Sequence, residues 1–374
     1  MSELEETSVH NVALDPGFGG FKSAMIVDGT IRTATVPSVV GVGETDLGLL
    51  SLAGVTGRRR RRKQFEPYRV TFPAEAGLRK GADMLVGAGV AEYARPVERL
   101  DFQRLGESPE LRVLTYATLF ELLSGRESGA GTLDLNLVVG LPVEVLQGQE
   151  ANETVRRLKG WLVGEHRFAV DGQETTLHIR RVVPMAQPVG AFCEWGLGLD
   201  GRWARDRDDA LATVAVLDLG FNTLDLLGVR NGRISARYTE GDTLGMRRAA
   251  QALVQSVRSQ YQVGDLSLHE ADGLVRGYIQ SQGRRPVKLS VPGGRRDVSH
   301  LVSTAIDVAA GEVSTFVEQV WGEGGRFAYL LLTGGGCLAL GQRLQRQLRH
   351  AVVLDDPVTA NARGLARAAQ RMFK

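Results

Sequence analysis

The stretch HNVALDPGFGGFKSAMIV, residues 10–27, decides how the rest of the chain is interpreted. Apolar residues flank a joint that holds a proline and three glycines, so the pattern predicts strands over about 9–15 and 21–27, joined by a hairpin. A loop with few side chains lets its backbone N–H groups approach an anion closely, as phosphate-binding loops do. Asp15 is a candidate ligand of hydrated Mg²⁺, and Lys22 can neutralise the same phosphates. Taken alone, the hairpin could also be a tight turn with a solvated Asp. The loop residues that would cradle a phosphate are Gly17, Phe18, Gly19 and Gly20.

The same pattern returns in TVAVLDLGFNTLDLLGVRNG, residues 213–232. When Asp218 is aligned with Asp15, Gly220 falls on Gly17 and Phe221 on Phe18. An Asp-Gly or Asn-Gly dipeptide, which a two-residue type I′ turn requires, also follows at the same offset, at 28–29 and 231–232. We therefore predict two copies of strand, acidic hairpin, strand, tight turn and strand, which would hold a polyphosphate from two sides. The phosphate-binding candidates of the second copy are Gly220, Phe221, Asn222 and Thr223.

A third glycine cluster lies in FAYLLLTGGGCLAL, residues 327–340. An apolar run typical of a buried strand leads into Thr333 and three glycines, and the start of a helix follows. A strand, a glycine cluster and a helix N-terminus together let backbone lie flat against a nucleoside or its phosphates. The glycines concerned are Gly334, Gly335 and Gly336.

The order of these segments, two acidic hairpins followed by TGGG, resembles the actin superfamily, which includes heat-shock chaperones and sugar kinases. Within it the chain is most similar to the prokaryotic actin-like proteins of plasmid-segregation (ParM-like) type. The resemblance runs nearly from end to end. The other stretches that carry it are VPSVVG (36–41), VVGLPVEV (138–145), PMAQPVGA (184–191), GDTLG (241–245) and DPVTANARGLA (356–366).

The resemblance implies an α/β actin-like fold of two domains, built on duplicated ribonuclease-H-like cores, with ATP and Mg²⁺ in a cleft between them. It places the first domain at about 1–186 and the second at about 187–358. Small outer subdomains are expected within them, at about 37–80 and 265–325. The final helix, 359–374, is expected to pack back on the first domain.

The resemblance also implies roles for single residues. Asp15 and Asp218 would hold Mg²⁺ through its waters and serve catalysis, and the TGGG glycines would face the adenosine. Gln187 is the best match to the residue that orients the attacking water, although the register could instead place that role at Met185. A helix N-terminal residue that satisfies backbone groups is the structural alternative for Gln187. Asp242 would approach the ribose and base, or could simply cap the helix that follows.

Composition bounds the kind of protein. The 374 residues suffice for two domains, and 43% hydrophobic and 24% charged residues are ordinary for a globular protein. The net charge of +2 gives no global field to attract nucleic acid or a membrane surface. Cys193 and Cys337 lie in apolar contexts without a CxxC pattern, which predicts buried thiols. Neither a signal peptide nor a membrane span is predicted, so a cytoplasmic protein is expected.

The remaining segments give coarser expectations. Helices are predicted over 81–94 and from Ser108, as N-cap, to about 125, and strands over 133–142 and around 165–183. A basic hairpin is expected between helices near 268–281 and 299–321. The arginine run GRRRRRK, 57–63, is interpreted as a solvated loop tip, or alternatively as a contact with DNA, an adaptor or a neighbouring subunit.

Together these features predict an ATPase that polymerises into nucleotide-dependent filaments, for plasmid or DNA segregation, with itself and a DNA-binding adaptor or DNA as partners. The alternatives are an actin-fold scaffold for cell shape, division or pilus assembly, and a kinase of the same superfamily. No clear signature of a kinase's catalytic Asp and polar substrate pocket was found. The choice between ATP and GTP is left open.

Overall fold

A computed structural model describes residues 9–42, 66–74, 81–97, 107–124, 132–322 and 326–374. Contacts between residues divide the chain into two compact units. The first contains 1–139, 150–184 and 373, and the second contains 140–149, 185–372 and 374. The main change of unit, at 184–185, lies within two residues of the domain boundary that the sequence suggested.

The first unit is built on one ten-stranded sheet whose order is β3-β2-β1-β8-β10-β9-β5-β6-β4-β7. Strand β1 runs antiparallel to β2 and parallel to β8. Its elements are β1 (His10–Pro16), β2 (Phe21–Val27), β3 (Thr30–Val36), β4 (Val40–Val42), β5 (Tyr68–Phe72), β6 (Ala82–Val86), β7 (Arg95–Pro96), α1 (Pro109–Leu123), β8 (Leu133–Leu141), α2 (Ala151–Leu162), β9 (Gly164–Val170) and β10 (Gln173–Ala186).

An aromatic cluster forms part of the core of this unit. The Tyr116 ring, on α1, stacks on Phe168 with ring centroids 4.4 Å apart, and Trp161 meets Tyr116 edge-on. The Tyr116 hydroxyl lies 3.0 Å from Nδ1 of His166, so the buried phenol and imidazole satisfy each other. These contacts fix α1 against β9, two elements far apart in the sequence.

One local expectation for this unit was wrong, and one was right in position only. Residues 81–94 do not form a helix: they contain β6 and a short 3₁₀ turn, Val90–Glu92. The strand forms because β6 is paired on both sides, by β4 and β5, and this tertiary pairing overrides a weak helical pattern. Ser108 does occupy the N-cap position of α1, but its hydroxyl donates to the Glu110 carboxylate rather than accepting a backbone N–H.

The second unit has a six-stranded sheet of order β13-β12-β11-β17-β18, with β14 also paired to β12. This order repeats that of β3-β2-β1-β8-β10, as expected for duplicated cores. Its elements are α3 (Gln187–Gly196), α4 (Arg207–Leu211), β11 (Thr213–Leu219), β12 (Leu224–Arg230), β13 (Arg233–Ile234), β14 (Glu240–Asp242), α5 (Arg247–Tyr261), α6 (Leu268–Gln280), β15 (Lys288–Val291), β16 (Gly294–Asp297), α7 (Ser299–Trp321), β17 (Tyr329–Thr333), α8 (Cys337–Gln347), β18 (Ala351–Val353) and α9 (Ala360–Met372).

Alternation along β11 assigns each side chain to one face of this sheet. Val214 and Val216 pack with Ala191 of α3, whereas Ala215 and Leu217 join the large core that includes α5, α7 and α8. Asp218 follows Val216 by two residues, so it lies on the α3 face at the end of the strand. The sheet is therefore covered on both faces, and Asp218 lies near the carboxyl end of the central strand β11.

Several predicted turns and helices are confirmed. The dipeptides at 28–29 and 231–232 have positive φ at both positions, as a type I′ turn demands. The basic hairpin forms as β15 and β16, between α6 and α7. The outer segments 43–65 and 75–80, including the arginine run, lie outside the described residues.

The final helix differs from its expected placement. It packs on α3 of the second unit, where a Cβ added to Gly364 would lie 1.7 Å from the Gly190 carbonyl oxygen. Glu194 of α3 lies 3.0 Å from Arg363 and 2.8 Å from Arg367 of α9. The contact follows from two glycines that let the helix backbones touch, a packing signal that amphipathicity alone does not contain.

Candidate phosphate- and cation-binding site

In the first unit the hairpin between β1 and β2 places Asp15 directly opposite Lys22. Asp15 is 1% exposed, and its Oδ2 lies 3.2 Å from Nζ of Lys22. The Ser38 hydroxyl donates to the Gly17 carbonyl at 2.5 Å, and the Gly20 N–H donates to the same oxygen at 3.2 Å. The loop is thereby fixed by its carbonyl side, and a buried carboxylate and an ammonium stand together at its base.

In the second unit the hairpin between β11 and β12 has the same register. Asp218 pairs with Asp225, seven residues later, as Asp15 pairs with Lys22. The loop closes by a hydrogen bond of 2.9 Å from the Gly220 N–H to the Thr223 carbonyl. Within the described residues, the amide groups of Phe221 and Asn222 donate no hydrogen bond to another residue. These amides are suited to an anion, and their binding of phosphate stays a prediction.

The two copies differ in the charge of the residue opposite the aspartate, which is Lys22 in the first copy and Asp225 in the second. Like charges opposite each other on a ladder are unfavourable. Burial raises the pKa of Asp225 to about 8, the charges of Asp218 and Glu144 act in the same direction, and the Val143 N–H and the Thr223 hydroxyl oppose them. The second hairpin therefore holds two neighbouring carboxyl groups that favour a shared proton or a cation.

Asp225 is a site residue that the sequence analysis missed. Its Oδ1 accepts the Val143 N–H at 2.9 Å, and its buried Oδ2 has no hydrogen-bond partner among the described residues. The signal was present in the alignment of the two hairpins, since position 225 is the counterpart of Lys22. It lies two positions beyond Gly20 and Thr223, the last aligned candidates of the two loops.

Asn361 is the second residue that was missed. It lies on α9, is buried, and donates from Nδ2 to Oδ2 of Asp218 at 2.6 Å. Its Oδ1 is buried without a partner in the described part of the chain. A residue from the other end of the second unit thus orients the Asp218 carboxylate, a contact that sequence spacing cannot reveal.

The TGGG segment packs against the same strand end. Thr333 pairs with Asp218 in the parallel ladder between β17 and β11. Gly334 has φ of +87°, and a Cβ there would lie 2.3 Å from the Leu219 carbonyl oxygen and 2.5 Å from Oδ1 of Asp218. No atom lies within 4 Å of a Cβ added to Gly335, so this glycine borders open space, whereas Gly336 packs on Leu219. The structure therefore brings the glycine cluster and the second acidic hairpin together.

The start of α5 wraps around the same hairpin. Amide groups of Gly245, Met246 and Arg247 donate to the carbonyls of Asn222, Gly220 and Phe221 at 3.1, 3.1 and 2.6 Å. These bonds hold the loop by its carbonyls and leave its N–H side available.

Asp242 ends β14 and pairs with Leu224 of β12, at the same hairpin. Its Oδ1 accepts the Thr243 N–H at 2.5 Å, and α5 begins only at Arg247. Asp242 is therefore not the N-cap of α5. Its role toward a ribose remains a prediction.

Gln187 is the first residue of α3 and is 6% exposed. The same helix touches α9 at Gly190, where an added Cβ would lie 2.4 Å from the Asn361 carbonyl oxygen. Gln187 is thus one helical turn from Gly190, which contacts Asn361, and Asn361 in turn donates to Asp218. Met185 lies on β10, before the helix begins. The helix start is compatible both with a water-orienting role for Gln187 and with a purely structural one, and the role in orienting water stays a prediction.

The donors in the second unit fit a hard divalent cation. The unpartnered oxygens of Asp225 and Asn361 and the carboxylate of Asp218 are the oxygen ligands that Mg²⁺ takes. No group of three or more His, Cys, Asp or Glu side chains that could hold a metal occurs in the described ranges. The two carboxylates of Asp218 and Asp225 agree with the way Mg²⁺ is commonly held, by one or two carboxylates together with waters and substrate phosphates.

Other sequence expectations have plain outcomes. Cys193 and Cys337 are buried free thiols, and burial raises the pKa of both. Within the part of the chain that the structure describes, no helix is long and apolar enough to cross a membrane.

Family comparisons support the fold. A model of the N-terminal domain of actin-like proteins matches residues 13–190. A model of the C-terminal domain of archaeal MreB-like actin homologues matches residues 216–346. Together the two matches cover most of the chain. No curated protein sequence matches it.

Solved structures show the same fold at low identity. A subunit of the 15-stranded ParM filament from Clostridium botulinum is 17% identical, with a TM-score of 0.73, over 98% of this chain and 100% of that one. An archaeal actin homologue in complex with ADP is 17% identical, with a TM-score of 0.65, over 97% and 100%. ParM of Bacillus thuringiensis with AMPPNP is 14% identical, with a TM-score of 0.62, over 97% and 98%.

Proposed function

We propose that this chain, which belongs to the actin-like proteins, is an ATPase that binds ATP with Mg²⁺ through its two acidic hairpins and assembles into filaments. The observation that carries the proposal is the repeated hairpin of identical register, with Asp15 in one unit and Asp218 in the other. Similar structures were solved with ADP, with AMPPNP and as a filament, which supports the nucleotide and the assembly. Plasmid or DNA segregation in the cytoplasm, through a DNA-binding adaptor or DNA, is the task we propose for the filament.

The proposed chemistry is positioning plus electrostatics. When bound, Mg²⁺ neutralises phosphate charge and orients the polyphosphate. Asp218, held by Asn361, would present a fixed carboxylate toward the hydrated cation, while the amides of Phe221 and Asn222 would bind phosphate oxygens. Lys22 neutralises charge at the first hairpin. Gln187 orients the attacking water by hydrogen bonding, since an amide is too weak a base to remove its proton.

The test replaces Asp218 and compares it with an acid outside the site. Asp218→Ala should abolish phosphate release from ATP and nucleotide-dependent pelleting while leaving the circular dichroism spectrum unchanged. Asp28→Asn is the matched control: Asp28 lies at an exposed turn with φ of +49°, which Asn also tolerates. Unchanged phosphate release in Asp218→Ala would remove the assignment. Pelleting without hydrolysis in the unmodified protein would favour a scaffold instead.

A further inference from the structure

A groove of about 620 Å³ lies in the second unit, away from the acidic hairpin along the chain. One side of it is α6, and the other is the segment that leads from α6 into β15. It is lined by cations, and no carboxylate takes part in the lining. The cationic residues are Arg284, Arg285 and Lys288.

Two of these three cations, Arg284 and Arg285, have no local counter-charge. Neither forms an ion pair with another described residue. Asp272 accepts from Nε of Arg276 at 2.6 Å. Lys288 is the exception, because Asp297 faces it across the ladder: hydrogen bonds from Ser299, at 2.9 Å for its N–H, lower the pKa of Asp297, and the charge of Lys288 acts in the same direction. The mutual repulsion of the cations would be relieved by an anionic ligand.

The remaining lining indicates the kind of anion. Gly273 and Gly277 have no atom within 4 Å of an added Cβ, so a ligand backbone can approach α6 closely. Leu274 and Pro286 add apolar surface beside the cations. A nucleic-acid backbone gains little from apolar walls, whereas an acidic peptide can place carboxylates on the arginines and an apolar side chain between them. The groove therefore favours an acidic peptide.

We propose that the groove binds the acidic segment SELEET, residues 2–7, of a second copy of this chain. The segment lies outside the described residues, but its sequence supplies three carboxylates, no cation and one leucine, which match three cations beside apolar surface. The other acidic run, 206–209, is a poorer match. It contains Arg207, and its Asp209 accepts the Tyr329 hydroxyl at 2.5 Å.

This docking has a consequence for assembly. The groove and the segment are different parts of the chain. Unless two copies exchange them reciprocally in a closed pair, each copy offers a groove to one neighbour and a segment to another, which is a heterologous contact. Heterologous contacts that do not close into a ring produce open helical filaments. The inference rests on the proposed filament function and names one of its contacts.

The first experiment measures the contact without assembly. A fluorescent peptide of residues 1–8 is titrated with the full-length chain below the concentration at which it pellets, and anisotropy is read at several salt concentrations. Binding should weaken with salt, and Arg284→Ser combined with Arg285→Ser and Lys288→Ser should lower the affinity about tenfold, as three partly exposed ion pairs would. Arg295→Ser with Arg296→Ser, in the same hairpin but outside the groove lining, should change it little.

Two controls make this result decisive. A peptide with Glu3→Gln, Glu5→Gln and Glu6→Gln should not bind. A single-stranded and a double-stranded oligonucleotide are added as competitors. Absence of peptide binding, equal binding by the groove variant, or displacement by oligonucleotide at lower concentration than by unlabelled peptide would each overturn the proposal.

The second experiment separates this inference from the filament function. With ATP and Mg²⁺, Arg284→Glu with Arg285→Glu should reduce pelleting, and Glu3→Lys with Glu5→Lys should do the same. A chain that carries both charge reversals should regain assembly. If the unmodified chain never pellets but binds the peptide, the filament proposal fails and the groove assignment stands. If it pellets while the combined variant is not rescued, the groove assignment fails.

Discussion

The contact between α3 and α9 offers the sharpest test of how the site is held together. At Gly364 an added Cβ would lie 1.7 Å from the Gly190 carbonyl oxygen and 2.5 Å from the Glu194 amide nitrogen. Ordinary contacts of this kind are 3.4–4 Å, so Gly364→Ala must move α9 away by about 2 Å. The obstacle is backbone on both helices, and no side-chain rotation can remove it.

The expected cost follows from that displacement. Overpacking costs about 1–3 kcal/mol where side chains can adjust, and a backbone clash belongs at the upper end. For a unit of this size, about 3 kcal/mol corresponds to a fall in melting temperature of roughly 6–12 °C. The same movement draws Asn361 away from Asp218, whose atoms are now 2.6 Å apart. Phosphate release from ATP should therefore fall together with stability.

The measurement is thermal unfolding by differential scanning fluorimetry, with steady-state phosphate release on the same samples. Gly311→Ala is the matched control, because Gly311 lies within α7 with no atom near its added Cβ. Alanine should stabilise that helix by about 0.5–1 kcal/mol and leave activity unchanged. A Gly364→Ala protein that melts as high as the unmodified chain would refute the packing argument. Normal stability with lost activity would refute the link through α9.

Three further outcomes are expected. Gln187→Ala should slow hydrolysis by roughly 10² with nucleotide affinity retained. If nucleotide affinity and melting temperature fall while turnover per bound nucleotide is kept, Gln187 is structural. Met185, or Glu144, whose charge acts on Asp225, then becomes the candidate for orienting water. Asp225 has a raised pKa, so its contribution to stability is complete below about pH 4 and is lost as the pH rises through about 8. Asp225→Asn should flatten the fall in nucleotide-free melting temperature between pH 5 and 8.5, and an unchanged profile would contradict the assignment. Gly335→Ala should leave the melting temperature unchanged, because its added Cβ meets open space, and should weaken ATP binding, because the backbone there is predicted to face the nucleoside. Equal ATP affinity of the two proteins, measured by calorimetry, would contradict the role of Gly335 in nucleoside binding.

The fold was predictable from the sequence where local chemistry and repetition agreed. The turns at 28–29 and 231–232 need residues that tolerate positive φ, and their equal offset from Asp15 and Asp218 revealed a duplicated core. The segment 81–94 could not be predicted in the same way. Its strand is formed by partners distant in sequence, which a local helical pattern does not include.

Of the candidate site, the sequence predicted the residues of the two hairpins but not those that other elements bring to them. Asp218 stood out by its motif, whereas Asn361, 143 residues later, enters the site because two helices meet at glycines. Helix backbones can approach this closely only where both helices carry glycine, here Gly190 and Gly364. Because glycine also occurs in turns and loops, its presence in the sequence does not by itself predict such a contact. The DPVTANARGLA stretch carries part of the resemblance, but its physical task follows only from the packing of α9 on α3.

The two hairpins share a backbone register and differ in the residue opposite the aspartate, which is Lys22 in the first and Asp225 in the second. In the first unit Lys22 stands opposite Asp15, so that pair is neutral without a ligand. In the second unit Asp225 stands opposite Asp218, so two carboxyl groups adjoin, and a proton or a cation would relieve their repulsion. A bound cation and a proton on Asp225 relieve the same repulsion, and they therefore compete. We expect the second hairpin to set the cation requirement and the first to set phosphate affinity, although both descend from one repeated pattern.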